Sequence, residues 1–462
     1  MRAGTVALLA SWACRAGSQG RGGTRPYHVQ GRIARKKAGG AFIRSALLLL
    51  ALASVSSFAA PVPFDGKTFK GRIACSADGN HNDEDDWAAS PVALAIFAQC
   101  GVKDRLVHFD YNCILPQTDL EWEKIHAASV LGAAERYGYA SSIFHDCRKD
   151  LDGAINSIAK AINESSAENP LYFIVAGPME VPFLGIQKSE GEKRKFVYCI
   201  SHSRWNDGFA QKYTFTHTKR SVIPSGIKWV QIRDQNQLLS TSPYGRPARP
   251  EEWRPWHWMR DSDDRKVRFL WERMLVSTRA DCSDAGMAYF LMTGDEAAEN
   301  SKLRRLLEEK IVPTPIGARK HVRLETENFL TLEGYAVEDR NDRQASHRLG
   351  VKLAEKTGRI RTPFDQPYAA ATGNYDVDVR YFDEKAVRSQ FALSINGVRQ
   401  SAAWNAPGTG QGWTTKTIPD VRVNLGDEIM VEVQTEAGAT GRLDYVELKS
   451  REASSQSADR KK

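Results

Sequence analysis

The residues best suited to chemistry crowd into one stretch, Cys75-Ser76-Ala77-Asp78-Gly79-Asn80-His81-Asn82-Asp83-Glu84-Asp85-Asp86-Trp87. Four Asp and one Glu within nine residues repel one another unless water or a cation neutralises them. An oxygen-only donor set with Asp78, Asp83 and Asp86 suits a hard ion, Ca²⁺ or Mg²⁺, in preference to zinc. An EF-hand frame starting at Asp78 would use Asn80 and Asn82, but it needs Gly where Asp83 stands and Glu where Ala89 stands. That frame fails. A plainer reading stands beside the metal one: a solvated acidic loop in which Asp85 and Asp86 favour the N-terminus of a following helix.

The elements that must hold this stretch are legible around it. Short apolar runs at 72–76, 106–111, 171–176, 196–200 and 227–232 read as strands, mostly continuous rather than alternating, as in strands covered on both faces. Ala-rich helical spacing at 87–100, 120–137 and 151–162 falls between them, so the expectation is a parallel α/β sheet. Three more helices are expected at 265–275, 284–293 and 303–310. The acidic stretch then follows the first strand at the carboxyl edge of the sheet, where such folds place their sites. Past Pro313-Thr314-Pro315 the pattern changes to short alternating strands with turn signals such as Asn396-Gly397 and Gly426-Asp427, which predicts an all-β sandwich. The expected organisation is a basic leader over 1–60, an α/β domain over 61–318, a β-sandwich over 319–449 and a disordered polar tail over 450–462.

Asp78-Gly79-Asn80 with Asp83-Glu84-Asp85-Asp86 after a first strand resembles the N-terminal aspartate motif of the nucleoside hydrolase superfamily, in its divergent secreted branch. Other landmarks fall in order over roughly 68–312. The segment 106–112 is similar to the second strand ending in a site Asn, here Asn112. Val175-Ala176-Gly177-Pro178-Met179-Glu180 is similar to the Gly-Pro-Leu-Thr turn that gives calcium a backbone carbonyl, at the position of Glu180. Asp284 matches the last calcium carboxylate. The resemblance implies a Ca²⁺-dependent hydrolase in which metal-bound water attacks the anomeric carbon of a furanosyl-type sugar. Asp78 would be the base, Asp86 and Asp284 would hold the ion, and Asp85 and Asn112 would bind sugar hydroxyls. A divalent ion lowers the pKa of its water and fixes vicinal hydroxyls, so the scheme is physically coherent. Two departures matter. The loop is three residues longer than the shortest family form, and the usual His before the last aspartate is Ser283. His202 is the substitute catalytic candidate, with Asn206 and Asp207 as sugar-binding candidates, against a structural role for a His beside Trp205. Trp253, Trp256 and Trp258 read either as a stacking subsite or as a hydrophobic lid.

In the second module, Glu325 and Glu327 near its start and Asp444 near its end resemble the termini of carbohydrate-binding modules of the family 6 and 35 type. That resemblance implies a jelly roll whose first and last strands share a structural calcium held by Glu325, Glu327 and Asp444. Tyr335, Trp404 and Trp413 are stacking candidates for a sugar, and Arg442 offers bidentate recognition of a sulfate or uronate, which points to acidic polysaccharide. A sandwich that only supports the first domain is the plain alternative.

Charge and cysteines set the remaining expectations. The chain has 462 residues and a formal charge of +8, yet residues 1–60 hold nine Lys/Arg and no Asp or Glu, so the rest is near −1. A nucleic-acid partner read from the overall charge is therefore excluded. Lys36, Lys37 and Arg44, the apolar run 45–55 and Ser57-Phe58-Ala59 match the three parts of a signal peptide, so the protein is expected to be secreted or periplasmic, meeting a membrane only through that peptide. An uncleaved anchor or buried helix is the alternative for the same run. Cleavage removes Cys14 of the seven cysteines, and export permits disulfides among the other six without fixing their pairing. No Gly-x-Ser-x-Gly, His-Glu-x-x-His, Walker A or dinucleotide fingerprint occurs. The sequence reads as an exported Ca²⁺-dependent glycosidase or nucleosidase acting on a carbohydrate or ribosyl substrate. The appended glycan module favours the larger carbohydrate. The other reading is a secreted glycan-binding protein that keeps the hydrolase fold without turnover.

Overall fold

The computed structural model describes residues 62–451 apart from 82, 116–118, 209–216, 318, 339–341 and 370–371. The expected leader over 1–60 and all but the first two residues of the expected tail lie outside the described residues. Six parallel strands form the first sheet: β1 (Arg72–Ala77), β2 (Leu106–Tyr111), β3 (Phe144–Asp146), β4 (Leu171–Ala176), β5 (Val197–Ser201) and β6 (Lys228–Gln231). Their order is β3-β2-β1-β4-β5-β6, so the chain reverses its direction of travel between β1 and β4. Loops leaving those two strands diverge there and open a crevice at the carboxyl edge.

The crossovers explain why the strands are apolar throughout. Helices α1 (Asp86–Gln99), α2 (Leu120–Tyr137), α3 (Leu151–Asn163) and α4 (Glu180–Lys188) join successive strands. Alternate residues of β1 point to opposite cores: Ile73, Cys75 and Ala77 pack with α1 and the helices Arg265–Val276, Ala285–Thr293 and Asn300–Leu307, whereas Ala74 packs with α3 and α4. Both faces are covered, and β1 and β4 are buried along their whole length. The sequence reading lacks β3, whose three residues Phe144-His145-Asp146 carry too short and too polar a pattern to register. All six described cysteines are buried and unpaired.

The second module is antiparallel and all-β. One sheet runs Gly412–Val423, Gly373–Asp383, Leu443–Ser450, Val351–Leu353, Tyr335–Val337, with His321–Glu325 added on Leu443–Ser450. The other runs Val398–Arg399, Ser389–Ile395, Glu428–Thr435, Thr357–Pro363, Thr331–Glu333, with Trp404–Asn405 added on Ser389–Ile395. Asn396 and Gly397 both take positive φ (49° and 75°), the backbone that a two-residue hairpin turn demands. First and last strands pair, with Glu325 opposite Tyr445.

The two modules share a core. Tyr368, on a sandwich loop, is fully buried among residues of the α/β core, stacks edge-on to Phe290 and donates its hydroxyl to the Leu291 carbonyl (2.9 Å). Asp365 pairs with Lys228 at the end of the sheet, and Gln366 donates to the Trp229 carbonyl (3.4 Å). Truncating a buried aromatic leaves a cavity that costs about 3–5 kcal/mol. Tyr368→Ala is therefore expected to lower the calorimetric melting temperature of both modules together in one transition. A variant that melts the sandwich at its wild-type temperature would show that the contact does not couple them.

Candidate functional site

The site is built where β1 and β4 part. The Asp78 N–H reaches the Ala176 carbonyl at the end of β4 (3.3 Å), which pins the start of the acidic loop across the crevice. Gly177 permits this approach: a Cβ there would lie 2.7 Å from Cys113 Sγ and 3.0 Å from Asp78 N. Asn80 clamps the loop after β2, donating to the Ile114 carbonyl (2.8 Å) and accepting from the Ile114 N–H (3.2 Å). The Trp87 indole donates to the Gly79 carbonyl (2.7 Å), and Gly79 has φ 94° with no room for a Cβ beside the His126 ring. The loop is thus fixed at both ends before its charges are considered.

Those charges converge. Asp78, Asp83 and Asp86 each bring a carboxylate oxygen within 4.8 Å of the others. Asp78 and Asp86 are buried against each other, and none of their four oxygens receives a hydrogen bond from another residue. Burial first, then repulsion from Asp83, Asp284 and Asp85, raises Asp78 well above the usual carboxylate range. Burial likewise raises Asp83 and Asp86. Buried carboxylates without donors are expensive, and an all-oxygen cluster of this kind fits a hard divalent cation. Asp284, at the N-terminus of helix Ala285–Thr293, acts electrostatically on all three from the facing side.

His202 sits behind Asp284 rather than in the open. Its ring is buried, Nε2 bonds Asp284 Oδ1, and Nδ1 meets both the Gln235 N–H (3.2 Å) and Asp234 Oδ1 (3.7 Å). Burial works against a proton on this ring and Asp284 and Asp234 favour one, while the Gln235 N–H donating to Nδ1 leaves the ring proton on Nε2, toward Asp284. The residue anchors a candidate ligand carboxylate and does not line the cleft, which corrects its reading as the substitute catalytic residue.

Beside the cluster lies a cleft of about 440 Å³. Asp83, Asp85, Asp281 and Asp284 form its acidic side, and Ser203, Ser240, Ser242, Ser283, Asn206 and Asn236 add hydroxyls and amides. Trp205 and Tyr244 supply aromatic surface, Tyr244 being exposed. Arg279, also in the wall, is spoken for by Glu84 (3.2 Å) and stacks beneath Tyr244. Burial raises Asp281 to about 7, while the Ser283 N–H holds it at 2.9 Å. Asn206 Oδ1 is buried with no partner.

Several expected site residues lie elsewhere. Asn112, in left-handed backbone (φ 60°), spends its amide on His126, Asp146 and the Glu123 carbonyl, so it braces the loop after β2 instead of facing a sugar. Burial pushes His126 down to about 3, so the brace is neutral. The Glu180 carboxylate is turned to the His217 N–H and ring, both at 3.0 Å. Asp207 is taken by Ser201 and Lys219 (3.7 Å) and does not line the cleft. Trp256 is fully buried, and Trp253 packs on Trp271, so the tryptophan segment is a lid on the core. Arg279, Asp281 and Tyr244 carried no recognisable spacing; only the fold brings them to the acidic loop.

In the sandwich, Trp404 is buried and stacked on Phe391, which leaves no face for a pyranose ring. Arg442 is buried between Glu338 (2.6 Å) and Asp342 (3.0 Å), so its guanidinium is not free for a sulfate or uronate. Trp413 is half-buried under that guanidinium, with its indole on Asp342 (3.0 Å). Tyr335 is buried and bonded to the Gly441 carbonyl. Glu325, Glu327 and Asp444 do gather: burial, then repulsion from Glu327 and Asp444, raises Glu325, and burial lifts Glu327 to about 7 and Asp444 to about 6. Glu325 Oε2 and both Glu327 oxygens receive no hydrogen bond, whereas Asp444 accepts from Ser346 N–H (2.9 Å) and Arg380.

No protein-family model matches the chain. The uncharacterized protein P22 of Formosa agariphila is 32% identical over 244 residues, which is 49% of this chain and 84% of that protein. Among solved structures, the family 35 carbohydrate binding module of Clostridium thermocellum is 17% identical, with a TM-score of 0.24 over 29% of this chain and 99% of that one. The GH26-CBM35 beta-(1,4)-mannanase of Podospora anserina is 22% identical with a TM-score of 0.24, and the chain spans only 28% of its length.

A carboxyl that ionises at higher pH in the fold than in the unfolded chain binds more protons when folded, so stability falls as pH rises above the unfolded value of about 4. A cation that takes the ionised carboxylates cancels this loss. In chelator, the melting temperature is expected to fall from about pH 5 to about pH 8. Calcium should raise it more at the higher pH, and Asp86→Ala should blunt that rise. An equal calcium shift at both pH values would count against the cluster as a cation site.

Proposed function

We propose that this chain, which belongs to the same family as the uncharacterized protein P22 of Formosa agariphila, is a secreted, Ca²⁺-dependent hydrolase of a glycosidic bond in a carbohydrate or ribosyl substrate. The observation that carries the reading is the set of four buried, donorless oxygens of Asp78 and Asp86, opening beside a cleft rich in hydroxyls, amides and aromatic surface. The nucleoside-hydrolase type of α/β domain is part of this proposal, supported by the acidic loop that follows β1 of a parallel sheet and by Asp284 close enough to act on its carboxylates. Asp78, Asp83, Asp86 and Asp284 would hold the ion. A divalent cation bound there supplies Lewis acidity and a fixed positive charge.

The chain's own residues account for the remaining chemistry. Asp78 would take the proton of an attacking water. Asp85 and Asn206 face the cleft and offer acceptors to sugar hydroxyls. The acidic wall stabilises the positive charge that develops at an anomeric carbon as its bond to the leaving group breaks. Trp205 and Tyr244 give the apolar faces of a sugar something to pack on.

The sandwich is proposed to be a carbohydrate-binding-type module carrying a second Ca²⁺, held by Glu325 and Glu327 with Asp444 alongside; the donorless Oε2 atoms of Glu325 and Glu327 support this, while Glu327 Oε1 faces Lys219 and Asp444 accepts from Ser346 and Arg380. The test is turnover of a panel of neutral and acidic glycosides and nucleosides with calcium present. The expected result is release of a reducing sugar by the wild type and a loss of about 10²-fold or more in Asp78→Asn. Binding of the same sugars with no release by the wild type would replace the hydrolase with the glycan-binding reading.

A further inference from the structure

We propose that Lys219 is a positioning residue through which the β-sandwich holds the floor of the cleft. The side chain leaves the short helix Lys219–Val222 and is 4% exposed. Its ammonium donates to Gln231 Oε1 on β6 (2.8 Å) and lies over the Trp229 ring (5.3 Å). On one side it faces Asp207 Oδ2 at 3.7 Å, and on the other Glu327 Oε1 of the sandwich at 3.8 Å. All three charged groups are buried, so this cation is shared between two carboxylates that belong to different modules.

What each carboxylate is attached to gives the contact its consequence. Asp207 closes the helix Arg204–Asp207, whose Trp205 and Asn206 line the cleft and which follows directly on His202 and Ser203. A four-residue helix has almost no stability of its own, so its place is set by side-chain anchors. Two of those anchors are the Asp207 bond to Ser201 and the Lys219 ammonium. Glu327 lies in the turn Thr326–Asn328, next to the strand pair that closes the sandwich, and neither of its oxygens has a hydrogen-bond donor. Arg220, the next residue, donates to the Glu338 carbonyl of the sandwich (2.7 Å), so the segment is strapped to the second module twice.

Removing one partner of a buried ionic set leaves the others uncompensated, and the strain falls on the least stable attached element. Here that element is the cleft helix. The sandwich thereby does more than carry a binding surface: its acidic turn helps set where Trp205 and Asn206 stand. This inference goes beyond the hydrolase reading and does not require it.

Hydrogen–deuterium exchange on the full chain, read by mass spectrometry, tests the proposal without a substrate. Lys219→Met and Glu327→Gln are each expected to speed amide exchange over 201–208 by about tenfold or more. Lys219→Arg should restore slow exchange there. Arg359→Met, which breaks an exposed sandwich ion pair with Glu333, should leave the segment unchanged. Exchange in Glu327→Gln that rises only within the sandwich would overturn the proposal. So would a rise in Lys219→Met spread evenly over both modules. If Lys219→Met does not fold, the near-isosteric Glu327→Gln, compared with the wild type in chelator so that loss of a metal ligand plays no part, decides alone.

Discussion

Two carboxylates, Asp78 and Asp86, are taken out of water at the edge of a parallel sheet and given no hydrogen-bond donor. Nearly everything around them serves to make that arrangement hold. The strand order parts β1 from β4 and makes the crevice; Asn80, Gly79 and Gly177 fix the loop that enters it; His202 and Gln235 hold Asp284 on the far side. Ordinary cores bury polar groups only when partners are supplied. A buried acidic cluster with few donors has the donor chemistry of a hard divalent-ion site, and that is the role proposed for it.

The second constraint is that the two modules are fused. Tyr368 fills the α/β core from a sandwich loop, Asp365 meets Lys228, and Lys219 stands between Asp207 and Glu327. A tethered module would leave exposed, polar faces between the parts. Here the seam contains a buried tyrosine and a buried ionic set. The sandwich residues first read as sugar contacts, Trp404 and Arg442, are likewise spent on internal packing and ion pairs.

How much of this the sequence discloses follows from the range of each interaction. Continuous apolar runs identify β1, β2, β4, β5 and β6 because each strand is covered on both faces, and the Asn396-Gly397 turn announces its hairpin. The acidic loop is legible because its donors lie within nine residues of one another. Arg442 is not, since its partners Glu338 and Asp342 are 104 and 100 residues away and turn a free guanidinium into an internal one. Asp281, Arg279 and Tyr244 enter the cleft from a part of the chain with no local motif. Asn112 follows directly on β2, as the sequence implies, but the direction of its side chain depends on His126 and Asp146, which only the folded chain brings near.

The central claim is that a cation completes the Asp78–Asp86 centre. Crystals of the full chain grown with manganese as a calcium surrogate, with anomalous scattering recorded at a wavelength that favours the metal, address it directly. The account predicts a strong anomalous peak among the carboxylates of Asp78, Asp83, Asp86 and Asp284, absent in Asp86→Ala. Well-ordered carboxylates at that position with no peak, Asp78 and Asp86 sharing a proton between them, would contradict it.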